Sequence, residues 1–184
     1  MSYLLESLIT SKTRIKLLLK FFLNPETQAY LRGLAEELGE STNGIRVELN
    51  RLTKAGLLET SNSGRTKLYR ANKKHSLFPD IHNVVKKYLG IDKVEAILND
   101  MGKVEVAFIT GDYAKGIDSG IIDLVLVGEI DKAYIQHIVE KAEGIIKRKI
   151  RVLVLNQEEF ERLKTKFDSE KALLVWEDDR LVEG

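Results

Sequence analysis

Apolar residues at helical spacing fill the first third of the chain, and this periodicity is the strongest constraint on its fold. Within residues 12–23 they recur every three or four positions, which places them on one face of a helix. Asn24-Pro25 ends that helix, because the residue before proline avoids the helical backbone region. Residues 30–38 and 43–57 show the same spacing. The pattern predicts three short helices packed against one another.

A β-hairpin is expected after these helices. Residues 58–60 and 65–71 carry strand-forming side chains on either side of SNSG, which is a typical turn sequence. Residues 77–89 return to helical spacing and predict an amphipathic helix. The order of elements in residues 1–90 is therefore three helices, a hairpin and a further helix.

This order resembles the winged helix-turn-helix of ArsR/MarR-type bacterial transcriptional regulators. The resemblance rests on LAEELGESTNGIRVELNRLTKAGLLE, on SNSGRTKLYRANKKHSLF and on the helix that begins near Leu77. It implies a winged-helix DNA-binding domain with a linker helix over residues 1–90. In such a domain the third helix enters the major groove of double-stranded DNA.

The exposed side of that third helix carries side chains suited to DNA. Arginine pairs with guanine, asparagine pairs with adenine, and valine can contact the methyl group of thymine. The remaining polar side chains suit phosphates. A solvated charged surface is the alternative explanation. The candidate DNA-binding residues are Thr42, Asn43, Arg46, Val47, Asn50, Arg51 and Lys54 on the helix, with Arg65 and Lys67 on the hairpin.

Charge is divided unevenly between the two halves of the chain. Residues 1–90 hold 15 basic and 8 acidic side chains, a net charge of +7, whereas residues 91–184 hold 14 and 20, a net charge of −6. The overall charge of +1 therefore hides a basic half and an acidic half. A basic half favours an anionic partner, which agrees with DNA contact through the first domain.

The second half alternates strand and helix patterns, which predicts an α/β sandwich. Its string TGDYAKGIDSGIIDLVLVG resembles the signature of DNA polymerase β-type nucleotidyltransferases, over residues 95–165. That signature is a glycine-serine pair opening a helix, a Y-A-x-G turn, and an acid-x-acid pair at the start of a strand. The resemblance implies a nucleotidyltransferase-like domain over residues 91–184. The expected fold class is α+β with two domains, a winged helix-turn-helix followed by a sandwich with a mixed sheet.

The signature is altered at the positions that carry its chemistry. The resemblance implies two or three carboxylates that hold two divalent metals, and a glycine-serine turn that holds the triphosphate. Here Asp112 replaces the serine, Ile121 replaces the first acid, and Arg151 stands where the third carboxylate is expected. Only Asp123 remains, although Asp118 is near enough in sequence to substitute. We therefore expect no catalytic residue, no metal and no cofactor.

A cleft that catalyses no reaction can still bind a ligand or be filled by its own side chains. Its candidate lining is Gly111, Asp112, Lys115, Asp123 and Arg151. A small-molecule or nucleotide effector bound there would shift the affinity for DNA. A salt bridge between Asp112 and Arg151 would instead fill the cleft, and the domain would then serve for dimerisation or docking. The residues leave these uses open.

The main interpretation is a sequence-specific, DNA-binding transcriptional regulator that forms a homodimer, with a pseudoenzyme as its second domain. The alternative is an active nucleotidyltransferase that modifies a small molecule or a protein. A third interpretation is an antitoxin-like partner of another protein. The chain has no cysteine, which excludes disulfides and thiolate metal sites. No apolar run approaches the roughly 18–20 residues of a membrane span, and no signal-peptide pattern occurs, so we expect a cytoplasmic protein without membrane contact.

Overall fold

The structure is a computed structural model that describes residues 4–101, 104–167 and 172–177. The chain divides into two compact units, Met1–Tyr88 and Leu89–Gly184. The sequence predicts its domain boundary at residue 90, two positions further along. Within the described residues, no helix combines the length and the apolar character needed to cross a lipid bilayer.

The first unit combines short helices with an antiparallel sheet. Its sheet has the strand order β1-β3-β2. The helices α2 to α5 and the β2–β3 hairpin lie where the sequence predicts them, whereas α1 and β1 were not predicted. The elements are α1 (Leu4–Leu8), α2 (Lys12–Leu23), β1 (Gln28–Tyr30), α3 (Leu31–Leu38), α4 (Thr42–Lys54), β2 (Leu58–Ser63), β3 (Thr66–Ala71) and α5 (Phe78–Leu89).

Local sequence explains where these helices begin and end. The side chains of Ser11 and Ser41 each accept a hydrogen bond from the backbone N–H three residues later, which caps α2 and α4. Asn24 takes an extended conformation before proline and ends α2. Gly39 ends α3 in the left-handed region, at φ 63°.

The second unit is a mixed sheet with helices on its faces. Its strands β4 (Val106–Thr110), β5 (Ile121–Val127), β6 (Lys149–Leu155) and β7 (Leu173–Glu177) follow the order β6-β5-β4-β7. β5 and β6 are parallel, and the other two pairs are antiparallel. The predicted α+β chain with a mixed sheet is therefore confirmed, but a separate winged helix-turn-helix domain is not established. The helices are α6 (Ile91–Met101), α7 (Gly111–Ala114), α8 (Lys132–Ile146) and α9 (Gln157–Leu163), and a 3₁₀ turn (Lys164–Lys166) follows α9.

The two faces of this sheet are covered differently. On one face, apolar side chains of α6 and α8 pack over the inward residues of β5 and β6, such as Leu124 and Val152. On the other face, Phe160 of α9 packs against Val125, Val127 and Leu155 near the carboxyl end of β5. The candidate site is on the same face, near the amino-terminal end of β5.

Glu48, a charged side chain on α4, is buried in the core of the first unit, with 6% of the side chain exposed. It accepts hydrogen bonds from Arg14 at 2.8 Å, from the Ser11 hydroxyl at 2.9 Å and from Arg51 at 3.1 Å. Burial raises the pKa of Glu48. The hydrogen bonds from Arg14 and Ser11 and the charges of Arg14 and Arg51 together lower this pKa by more than burial raises it, so the net pKa lies below the ordinary range. Glu48 therefore ties the start of α2 to α4.

We predict that Glu48→Gln lowers the free energy of unfolding at pH 7 by about 1–3 kcal/mol, because the substitution removes the negative charge and one of the two oxygens that accept hydrogen bonds from the guanidinium groups. The lowered pKa stabilises the fold above the ordinary glutamate pKa of about 4.3, and this contribution is lost as the pH falls through the folded-state value. The difference between wild type and variant should therefore shrink below pH 4. Urea denaturation across pH measures it.

The matched control is Glu36→Gln, since Glu36 is an exposed glutamate on α3. Surface substitutions of this kind stay within about 0.5 kcal/mol of wild type. Equal losses at both positions, or a Glu48 effect that does not change between pH 7 and pH 3, would contradict the stabilising role of the buried carboxylate.

Candidate active site

The register of the second sheet places three polar residues side by side. Thr110 on β4 pairs with Asp123 on β5, and Asp123 pairs with Arg151 on β6. Paired residues on adjacent strands, about 4.8 Å apart, project from the same face of a sheet. The three residues line a cavity of about 280 Å³. The other lining residues are Leu124, Val125, Val152, Leu153 and Phe167.

Asp123 and Arg151 form a two-point ion pair. Nε of Arg151 donates to Oδ1 of Asp123 at 2.6 Å, and Nη2 donates to Oδ2 at 2.8 Å. The hydrogen bond and charge of Asp123 raise the pKa of Arg151, and the charge of Asp112 adds to this effect. The sequence suggested a salt bridge between Asp112 and Arg151, and that suggestion is corrected: Asp123 is the hydrogen-bonded partner of Arg151.

Gly111 forms a left-handed turn where β4 passes into α7, at φ 67°. A Cβ atom at this position would lie 2.6 Å from Oδ2 of Asp123, closer than real Cβ contacts. Glycine is thus required both by the backbone conformation and by the neighbouring carboxylate. Asp112 follows in the first turn of α7 and is exposed.

Asp118 is engaged elsewhere. Its carboxylate accepts two hydrogen bonds from Arg148, at 2.7 and 3.1 Å, and a further one from the Tyr113 hydroxyl. Tyr113 is fully buried, and the guanidinium of Arg148 lies 6.0 Å from the centroid of its ring. Burial raises the pKa of Asp118, but the hydrogen bonds from Arg148 and Tyr113 lower it more. These contacts make Asp118 a structural residue that holds the segment between α7 and β5.

The carboxylates of this site do not fit the pair of divalent cations that the sequence signature implies. In the ranges that the structure describes, no group of three or more His, Cys, Asp or Glu side chains is placed to hold a metal ion. Among the described residues that line the cavity, only Asp123 offers a carboxylate, and both of its oxygens accept hydrogen bonds from Arg151.

The other residues that the sequence predicts for a site are the DNA-binding candidates of the first unit and the remaining cleft candidates of the second. All nine candidate DNA-binding residues are exposed, seven on α4 and two at the β2–β3 hairpin, and Arg51 also pairs with Glu48. Their contact with DNA stays a prediction. Of the five residues predicted to line the cleft, Asp123 and Arg151 line the cavity, whereas Gly111, Asp112 and Lys115 do not. Sequence reasoning missed Thr110 and Leu153, although strand alternation places Leu153 on the same face as Arg151.

Comparisons with known proteins give no family assignment. No family model matches the chain. No curated protein matches it either. The chain is similar to several solved structures at low identity. One is a mutant of the toxin–antitoxin MntA–HpeT, with 13% identity and a TM-score of 0.41, covering 50% of this chain and 77% of that chain.

Two further solved structures are similar over the same share of the chain. A tri-AMPylated HEPN toxin in complex with MNT antitoxin from Shewanella oneidensis has 12% identity and a TM-score of 0.37, covering 52% of this chain and 76% of that one. A candidate nucleotidyltransferase from Sulfolobus solfataricus has 22% identity and a TM-score of 0.32, covering 50% and 80%.

These findings correct the main interpretation of the sequence. None of the three is described as a DNA-binding transcriptional regulator, and the third is described as a candidate nucleotidyltransferase. The prediction of an ArsR/MarR-type regulator with an inactive second domain is wrong, and so is the expectation of a non-enzyme. The alternative interpretation, a nucleotidyltransferase, remains. Because the TM-scores lie below 0.5, the likeness transfers no residue role, and the proposed activity rests on the site.

We predict that Gly111→Ala destabilises the second unit more than Gly120→Ala. Gly120 also has a left-handed backbone, at φ 79°, but no atom lies within 4 Å of its Cβ position. Both variants carry about 1–2 kcal/mol of backbone strain. Gly111→Ala should lose about 1–3 kcal/mol more, because its methyl group displaces the Asp123 carboxylate. Urea denaturation gives both values, and equal losses would show that the Gly111–Asp123 approach does not constrain the fold.

Proposed function

We propose that the second unit is a nucleotidyltransferase, which transfers a nucleoside monophosphate from a nucleoside triphosphate to a hydroxyl of a small molecule or a protein. The observation that carries the proposal is the position of Asp123. Its carboxylate lies near the amino-terminal end of β5, against the turn at Gly111 and beside Arg151, at an open cavity. A carboxylate and a guanidinium at an open cavity are groups that phosphoryl chemistry uses.

Arg151 is the proposed phosphate-binding residue. Its guanidinium offers a planar set of donors that matches two phosphate oxygens at once. The side chain is 69% exposed, so it is accessible to a ligand that enters the cavity. The apolar residues Leu153 and Phe167 line the same cavity. The cavity of about 280 Å³ therefore has both charged and apolar lining residues.

In the transfer, the acceptor oxygen forms a bond to the α-phosphorus. The bond between the α-phosphorus and the α–β bridging oxygen breaks, and pyrophosphate leaves with that electron pair. The acceptor hydroxyl loses its proton to solvent. Arg151 compensates negative charge on the phosphates during this step.

We predict that the chain releases pyrophosphate from at least one of ATP, GTP, CTP and UTP in the presence of Mn²⁺. Label on the α-phosphate should then appear on the chain or on an added acceptor from a cell extract. Asp123→Asn should lower this turnover at least about tenfold, because Asp123 holds the guanidinium of Arg151 at the cavity through two hydrogen bonds.

The control is Asp131→Asn, in the same unit. Asp131 caps α8 by accepting a hydrogen bond from the N–H of Ala133, and asparagine caps a helix about as well. This variant should keep wild-type turnover. Absence of turnover with all four triphosphates, or turnover that Asp123→Asn leaves unchanged, would refute the proposed activity.

A further inference from the structure

The first unit contains a cavity of about 670 Å³, bounded by the start of α3 and by the β2–β3 hairpin. Pockets for small ligands typically enclose about 300–1,000 Å³, so a molecule the size of a nucleotide fits this space. Three of the described lining residues carry a positive charge, and none of them carries a negative charge. The lining includes Tyr30, Arg32, Gly33, Arg65, Lys67 and Tyr69.

The three cations of this cavity are not engaged in the fold. Arg32, Arg65 and Lys67 are exposed, and none of them forms an ion pair or a side-chain hydrogen bond with another described residue. Arg70, on the same strand as Lys67, instead pairs with Glu59 at 2.7 Å. Like charges around one cavity repel one another, and a bound anion removes that repulsion. The cavity is therefore suited to a ligand with more than one negative charge.

The amino-terminal end of α3 adds to this positive field. Its first turn contributes Leu31, Arg32 and Gly33 to the lining. The hydroxyl of the N-cap residue, Tyr30, donates a hydrogen bond to Oγ of Ser63 at 3.2 Å instead of capping the helix. Backbone N–H groups in a first turn have no acceptor within the helix and carry partial positive charge. They favour the same ligand as the three side chains.

Two tyrosine rings give the cavity an aromatic part. Tyr69 is buried, with 7% exposed, whereas Tyr30 is 42% exposed. An exposed aromatic ring beside cations is a surface on which a nucleobase stacks, and every base has the planar face that stacking needs. An inorganic anion or an acidic peptide would use the cations and leave the rings without a partner. The combination of rings and cations therefore favours a nucleotide.

We propose that this cavity binds a nucleoside polyphosphate, with its phosphates held by Arg32, Arg65 and Lys67 and its base stacked on Tyr30. A guanidinium group matches two phosphate oxygens at once, and a lysine adds a point charge. All of these residues belong to the first unit. The proposal therefore does not rest on the proposed function, which concerns the cavity at Asp123.

The test follows the backbone amide signals of the isotopically labelled full chain by nuclear magnetic resonance while α,β-methylene-ATP is added in EDTA. The signals of Arg32, Gly33 and Lys67 should shift, and they report on the first unit alone. Tripolyphosphate should shift the same signals but bind about tenfold more weakly, because it lacks the base that stacks on Tyr30.

Four variants separate the phosphate contact from the ring contact. Arg32→Met and Lys67→Met should each weaken nucleotide binding at this cavity at least about tenfold, because each removes a charged donor. The matched control is Lys87→Met, since Lys87 is an exposed lysine of the first unit that does not line the cavity. Tyr30→Leu should weaken binding of the nucleotide about tenfold and leave binding of tripolyphosphate unchanged.

Urea denaturation verifies that each variant is folded, and Arg32→Gln replaces Arg32→Met if the latter is not. Unchanged affinity in folded Arg32→Met overturns the proposal, and so do equal losses in Lys67→Met and Lys87→Met. Tripolyphosphate that binds as tightly as the nucleotide overturns the role of Tyr30 and leaves a general anion site.

Two other outcomes also overturn the proposal. One is a DNA duplex that shifts the signals of this cavity when the nucleotide does not, because the occupant would then be a macromolecule. The other is a set of nucleotide-induced shifts confined to the second unit. If the chain also turns over a triphosphate in an Asp123-dependent manner, the proposed function stands and only the site in the first unit has failed.

Discussion

The carboxylate of Asp123 is the contact on which the candidate site depends. Its Oδ2 lies 2.6 Å from the position that a Cβ atom at Gly111 would take, and its two oxygens accept hydrogen bonds from Arg151 across the parallel β5–β6 pair. The turn after β4 and the guanidinium on β6 therefore meet at one carboxylate, and the cavity opens beside it.

Two aspartates only five positions apart have opposite roles, and their partners explain why. Asp118 is held by an arginine that is 10% exposed and stacked over a buried tyrosine, so the cost of breaking that pair falls on the fold. Asp123 is held by an arginine that is 69% exposed. Exposed pairs contribute little to stability, so breaking the second pair costs the fold less than breaking the first.

The elements that depend on neighbouring residues could be predicted from the sequence. The contacts that depend on distant segments could not. The ends of α2 follow from the Ser11 cap and the Asn24-Pro25 pair, both within a few residues. Strand β1 has three residues and pairs with β3, about forty positions away, so no local pattern predicts it. The Asp123–Arg151 pair likewise needs the parallel register of strands separated by α8. Local reasoning therefore found both residues but assigned Arg151 to Asp112.

The most direct test of the account is a crystal structure of the chain with α,β-methylene-ATP. We expect the triphosphate in the cavity beside Asp123, with its phosphate oxygens within hydrogen-bond distance of the Arg151 guanidinium. A nucleotide bound away from Asp123 and Arg151 would contradict the central claim that this site handles the nucleotide.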